Sequence, residues 1–251
     1  MTMNEYKISV KDGKSKVLHT AGKYCDRNII IEGVGALYDS FWDVFQQDGS
    51  NKYNPIQGVF NGGRFTADNF YPKYDIRPVG SAAYLFYAWE TETNPGHTAL
   101  DLKQRLADCG VVLDTSEATS IDNMFAYARV IDNIPTIDCT GLTSACSRVF
   151  AAANALTKIE KLIVNDTVSY NAWFNSCNNL ISIQFEGVIG KSISFGWSTM
   201  LSYFSVRSII DHLKDLTGQA RQTLTLPANI VQSMDEELKI AITAKNWELV
   251  Y

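Results

Sequence analysis

Three segments of this chain repeat one apolar pattern at steps of 25 and 24 residues. They are MFAYARVIDNIPTI (124–137), VFAAANALTKIEKL (149–162) and WFNSCNNLISIQF (173–185). Each opens on a phenylalanine: Phe125, Phe150 and Phe174. Three residues on comes a small apolar residue, Ala128, Ala153 or Cys177. Three further comes Ile131, Leu156 or Leu180, and three further again Ile134, Ile159 or Ile183. Four positions agree in chemical type across three copies. A near-fixed period of this length is the mark of stacked structural units. One such unit cannot bury its apolar face alone, whereas a stack of neighbours can. Phe86 in YLFYAW and Phe60 in GVFNGG extend the series upstream, at steps of 39 and 26.

Within a unit, the second slot wants a small apolar side chain, which a free cysteine supplies. The Leu-x-x-Ile piece reads as a short strand facing the core. LDTS (113–116), IDCT (137–140) and IVND (163–166) follow roughly in step and read as turns, because Asp, Asn, Ser and Thr bond nearby backbone. The expected architecture is therefore α/β: a solenoid of short parallel strands over residues 53–200, with the phenylalanines as a spine. The 39-residue step contains HTALDLKQRLADCG (97–110), where Leu100, Leu102 and Leu106 suit an inserted helix closed by Gly110.

The ends differ from the middle. Residues 1–35 read as a small β module, with YKISV as a strand and turns at Gly13 and Gly22. Residues 36–52 read as a helix capping the stack, with Leu37, Phe41, Val44 and Phe45 on one face. Residues 201–251 read as a C-terminal α/β cap. There, Ser205 N-caps a helix to about Leu216, TLTL (223–226) is a strand, Ser233 to Glu236 is a capping box, and Trp247–Tyr251 closes the chain.

The sequence is poor in signs of chemistry. Its three histidines, His19, His97 and His212, stand far apart, and the five cysteines follow no metal-ligand spacing. No nucleotide-binding glycine loop or serine-hydrolase elbow is present. The aspartates of the middle region sit in turn-like contexts. No catalytic residue, metal site or cofactor is expected. With a net charge of −5 and no basic stripe, nucleic acid is not an expected partner. No run approaches eighteen apolar residues, so membrane insertion is not expected, and MTMNEYKISVKDGK has no apolar core of a signal peptide.

The run Phe-x-x-Cys-x-x-Leu-x-x-Ile, standing here as FNSCNNLISI, resembles the BspA-like class of leucine-rich repeats. The resemblance covers residues 53–200 and is best over 111–190. It implies a leucine-rich-repeat solenoid used for binding. YDSFWDVFQQDG (38–49), FYPKYDIRP (70–78) and FEGVIGKSISF (185–195) are similar in texture to proteins encoded in phages and prophages of gut Firmicutes, and TAGKYCDRNIII resembles β modules of phage tail-associated proteins.

The expected function is that of a non-enzymatic virion protein of tail, baseplate or capsid. Its N-terminal module would join other virion proteins, and its solenoid would bind a host-surface glycan or protein, as a single chain or a homo-oligomer. A cell-surface adhesin of the same repeat class and a tail-associated polysaccharide hydrolase are the alternatives. Trp89, in a polar loop, and the outward strand residues Thr157, Lys158, Glu160, Ser182 and Gln184 are the candidate binding surface.

Overall fold

The computed structural model describes residues 100–251 throughout and, upstream of them, residues 6–11, 14–16, 29–31, 76, 78, 80–83 and 85–87. The expected helix at 36–52 and the copy carrying Phe60 lie outside the described residues. The protein is mixed α/β with parallel strands. Near the N-terminus, β1 (Tyr6–Lys11) runs antiparallel to β2 (Lys14–Lys16) and parallel to β3 (Ile29–Ile31).

Further along come β4 (Gly80–Ser81), β5 (Leu100–Asp101), helix α1 (Leu102–Asp108), β6 (Ala118–Ser120), β7 (Ile131–Ile134) and β8 (Ile137–Asp138). After these come β9 (Cys146–Ser147), β10 (Lys158–Val164), β11 (Tyr170–Asn171), β12 (Ser182–Gly187) and β13 (Ile193–Ser194). Every described pairing from Ile76 onward is parallel. Parallel neighbours need a crossover of about a dozen residues or more, and a step of 24 or 25 supplies one. The register follows the repeat. Ile159 lies opposite Ile134 on one side and Ile183 on the other, so the same position of three copies meets in one row. Tyr170 lies opposite Cys146, again 24 residues away.

The phenylalanines form a continuous stack. Ring centroids are 4.9 Å apart for Phe86–Phe125, 5.6 Å for Phe125–Phe150, 5.5 Å for Phe150–Phe174 and 4.4 Å for Phe174–Phe195. All four pairs lie within 23° of parallel. Aromatic pairs of this kind contribute about 0.5–1.5 kcal/mol each beyond the area they bury. Phe195 is the member that the spacing conceals, because its step from Phe174 is only 21. Its motif is nonetheless the same, Phe195-x-x-Ser198-x-x-Leu201. The local turn is the same too: the Ser198 N–H bonds the Phe195 carbonyl as Cys177 bonds Phe174 and Ala153 bonds Phe150.

Two residues before the ring and two after it, the backbone enters the left-handed region. Asn123, Arg148 and Ala172 hold the first corner and Tyr127, Ala152 and Ser176 the second, with φ from 52° to 60°. Non-glycine residues there cost roughly 1–2 kcal/mol. The corners aim N–H groups at the next copy: Asn123 to Ser147, Arg148 to Asn171, Tyr127 to Ala151 and Ala152 to Asn175. These bonds offset the strain. On another corner, Asp114, Asp138, Asn165 and Asp215 each accept both the N–H and the hydroxyl of the Ser or Thr two residues on.

The long step holds an insertion that leaves the stack intact. Helix α1 is capped by Asp101, whose Oδ1 accepts from the Gln104 N–H at 2.7 Å, and Gly110 follows it at φ 66°. Leu102 and Leu106 are buried beneath it. Leu100 was expected in the helix. It belongs instead to β5, opposite Ile131, so it keeps its place in the repeat row.

The main sheet runs β12-β10-β7-β5, with β8 also pairing β10, and β12 is the edge toward the C-terminus. An uncovered edge leaves strand N–H groups unpaired. Here helix α2 (Tyr203–Asp211) lies beside the edge and supplies serine hydroxyls in place of strand carbonyls. The Ile183 N–H bonds Ser205 Oγ at 3.0 Å and the Phe185 N–H bonds Ser208 Oγ at 2.9 Å. Ser205 also donates to the Ile181 carbonyl. It therefore does not cap α2 as expected. Ser202 does, accepting from the Ser205 N–H, and the helix ends at Asp211 rather than near Leu216. Ser205→Ala is expected to destabilise the fold by about 1–3 kcal/mol, because it strands a buried N–H. Ser208→Ala, at a less buried site, is expected to cost less. Urea unfolding of the two variants checks the order.

Beyond α2, β14 (Gln222–Thr225) pairs in parallel with β13 and with β15 (Trp247–Val250). Helix α3 (Ala228–Ser233), which the sequence reading missed, follows Pro227, and α4 (Glu236–Ala244) comes next. Asp235 precedes α4 without a capping side-chain bond, so the expected capping box is not formed. The Ser233 hydroxyl instead bonds the Ile230 carbonyl. Lys245 donates to the carbonyls of Ile210 and Asp211, closing α2, and the Trp247 indole donates to the Lys214 carbonyl at 2.8 Å.

Candidate functional site

Along β10 and β12, Ile159, Leu162, Ile183 and Phe185 turn inward and the residues between them lie on the outer face, with a register shift between Ile159 and Leu162. That face carries the strand residues singled out in the sequence. Lys158 stands opposite Ser182, with Asn133 on its other side. Gln184 is exposed, while Thr157, Lys158, Glu160 and Ser182 are half-buried. Thr157 is spent on structure, since both its N–H and its hydroxyl bond the Asp132 carbonyl. Trp89 lies outside the described residues.

The charges on this face are partnered. Glu160 meets Lys158 at 2.6 Å and Lys103 of α1 at 2.9 Å, so the inserted helix contributes to the surface. Burial raises the Glu160 pKa, but the two ammonium groups outweigh it and hold the carboxyl below its ordinary range. Asn133 donates to Asp101 at 2.9 Å. Asp132 is the exception. Its Oδ1 is buried with no hydrogen-bond partner, and burial, then the neighbouring Asp101, push its carboxyl above the usual range.

A group with a raised folded-state pKa favours the fold when protonated. That advantage is present below the unfolded value, roughly 3.9, and is lost as pH rises through the raised value. Asp132→Asn is therefore expected to gain stability over the natural chain at pH 7 relative to pH 3. Denaturant midpoints of both proteins at the two pH values check this; an equal difference at both would contradict it.

A second concave surface lies where β10 and β12 end. It is an open cleft lined by Asn165, Asp166, Val188, His212, Lys214 and Asp215, among others. Lys214 and Asp166 pair at 2.7 Å, which holds Asp166 below its ordinary range. Gly187 lines the same cleft at φ 90°, and a Cβ there would stand 1.9 Å from the Val164 carbonyl oxygen, so no side chain fits.

The third surface was not singled out in the sequence. Trp197 is 55% exposed, Tyr203 47% and Phe204 81%, with Met200 and Ile181 also open to solvent. They sit where the last copy turns from the Phe195 corner into α2. The Ser202 N–H bonds the Ile181 carbonyl at 2.8 Å and ties this segment to the preceding copy. The available signal was a break in the pattern: Phe204 falls three residues after Leu201, where the strand's inward residue stands in earlier copies.

Among the described residues, the buried thiols Cys139, Cys146 and Cys177 are packing groups. Burial pushes Cys177 up to about 12 and Cys139 higher still, which keeps both protonated and unreactive. Among the described residues, no group of three or more His, Cys, Asp or Glu is placed to hold a metal ion, and no helix is long and apolar enough to cross a membrane. Comparison with protein-family models, with curated proteins and with solved structures found no match to this chain.

Proposed function

We propose that this chain is a leucine-rich-repeat solenoid of the BspA-like class, acting as a non-enzymatic binding protein of a phage or phage-like particle. The observation that carries the solenoid is the five-ring stack from Phe86 to Phe195, flanked by parallel strands in the register of the repeat. Such stacks present long faces built from equivalent positions, which suits recognition of extended partners. The reading as a binder is supported by the open cleft at the ends of β10 and β12 and by the exposed aromatic side chains around α2. The virion setting rests on the resemblance of 38–49, 70–78 and 185–195 to phage-encoded proteins. In that setting the β1–β3 module mounts the chain and the repeat faces a host-surface glycan or protein.

Two measurements test this. Mass spectrometry of purified particles should find the protein, and purified protein should adsorb saturably to host cells. Absence from intact particles would sink the virion setting, and absence of adsorption would sink the binding role.

A further inference from the structure

We propose that the cleft at the C-terminal ends of β10 and β12 binds an uncharged, hydroxyl-rich ligand, a saccharide with adjacent hydroxyls; this rests on the binding-protein reading above and names its site. The cleft has a volume of about 630 Å³, within the range of small-molecule sites. Val188 and Leu213 give it an apolar side, and Asp166, Asp211, His212 and Asp215 bring polar groups to it. Two segments meet there, the strand ends and the chain leaving α2. They are tied by the Ile189 N–H on the His212 carbonyl at 2.8 Å and the Lys214 N–H on the Ile189 carbonyl at 2.9 Å. The lining is therefore held in place by the fold itself.

The hydrogen bonds of the lining select the ligand. Asp215 takes the Thr217 N–H and hydroxyl on Oδ1, which leaves Oδ2 open. Asp211 meets Arg207 at 3.6 Å, too long for a hydrogen bond, so its carboxylate has room for donors. His212 Nδ1 lies 2.7 Å from the Ser208 carbonyl, so that nitrogen carries a proton and Nε2 is the ring atom open to a ligand. The cleft is thus rich in spare acceptors and calls for a ligand rich in donors. The charges around it select against an ion. Asp166 is paired with Lys214 at 2.7 Å and Asp211 with Arg207, while Lys245 lies close to Asp211 and Asp215 and bonds the Asp211 carbonyl at 2.9 Å. Three carboxylates face three cations. An ion placed among them would lose hydration without an unpaired counter-charge to meet, a large cost. A sugar hydroxyl brings a donor without a net charge, and its bond to an ionised carboxylate is of the strong, short kind. The C–H face of the same sugar suits Val188, which is 41% exposed.

The test is calorimetric titration of the full chain. Neutral probes are glucose, galactose, rhamnose and N-acetylglucosamine; charged probes on the same rings are glucosamine, galactosamine, glucuronate and galacturonate. At least one neutral probe is expected to bind saturably, and its charged relatives at least ten-fold more weakly. Asp211→Ala removes a carboxylate that holds no hydrogen bond of the fold, and Val188→Trp fills the cleft from an exposed position. Each is expected to weaken binding at least ten-fold while leaving the melting temperature unchanged. The proposal is overturned if no neutral probe binds, if a charged probe binds as tightly as its neutral relative, or if either variant keeps full affinity. Adsorption to whole host cells is measured in parallel. If cells are bound by the natural chain and both variants alike, the binding role stands and this site falls. If a neutral probe is bound but cells are not, the site stands and the host-surface reading falls. If neither is bound, both fall.

Discussion

Phe174→Ala is expected to lower stability by about 3–5 kcal/mol, the usual cost of truncating a buried phenylalanine. Phe174 is fully enclosed and stacks on two rings, Phe150 at 5.5 Å and Phe195 at 4.4 Å. Alanine would leave a cavity between two copies that the backbone ladder holds apart, so collapse is limited. Against a total stability of about 5–15 kcal/mol, that is a large fraction. Cys177→Ala, three residues away, is expected to cost about 1 kcal/mol or less. The Cys177 thiol donates to the Phe150 carbonyl at 3.0 Å, but that carbonyl also accepts from the Ala153 N–H, so its loss leaves no orphan. Thermal melts of both variants check the contrast. A cysteine change as costly as the phenylalanine change would contradict the repeat.

Ending the chain at Leu216 is expected to abolish cooperative folding. The segment removed carries the buried Leu224, Leu226, Leu238, Ile242 and Trp247. Each side chain of that size stabilises by about 1.5–3 kcal/mol when buried, and together they rival the whole stability of a domain. Their partners stay behind. Ile193 loses its neighbour Leu224 across the sheet, the N–H of Phe195 loses the Thr225 carbonyl, and α2 loses the Lys245 ammonium at its C-terminus. The shortened protein should aggregate or bind a dye specific for exposed apolar surface. A soluble monomer with a sharp melting transition would overturn the role of residues 217–251 as a cap.

The rows of the stack were legible because one side chain type recurs at one step. Phe125, Phe150 and Phe174 define the spine, and Ile134, Ile159 and Ile183 meet in one strand row as their spacing requires. What the sequence hid lies where the period changes. Phe195 escaped because three residues are missing from its step, although its Phe-x-x-Ser-x-x-Leu motif was intact. The role of Ser205 escaped for a different reason. A serine ahead of an apolar stripe reads as an N-cap, yet here a sheet edge competes for its hydroxyl, and only the tertiary fold brings that edge to it. The left-handed corners were invisible because Arg148, Ala152 and Tyr127 are not residues that favour positive φ; bonds to the next copy impose it. Of the candidate surfaces, the polar strand face was legible from alternation. The aromatic surface was not, because Tyr203 and Phe204 are core residue types set on a helix that replaces a strand.

Stacked copies of one motif should be equivalent units, each supported by its neighbours. Deletion of residues 126–150 tests it most directly. The excision joins Phe125 to Ala151, removes one 25-residue unit and keeps every later copy in register. A chain made of equivalent stacked units should lose stability but still melt cooperatively, with parallel-strand circular dichroism retained. A control deletion of half that length, which throws the rings out of line, should not fold. If the whole-unit deletion proves as destructive as the half-unit one, the copies are not interchangeable units of a stack.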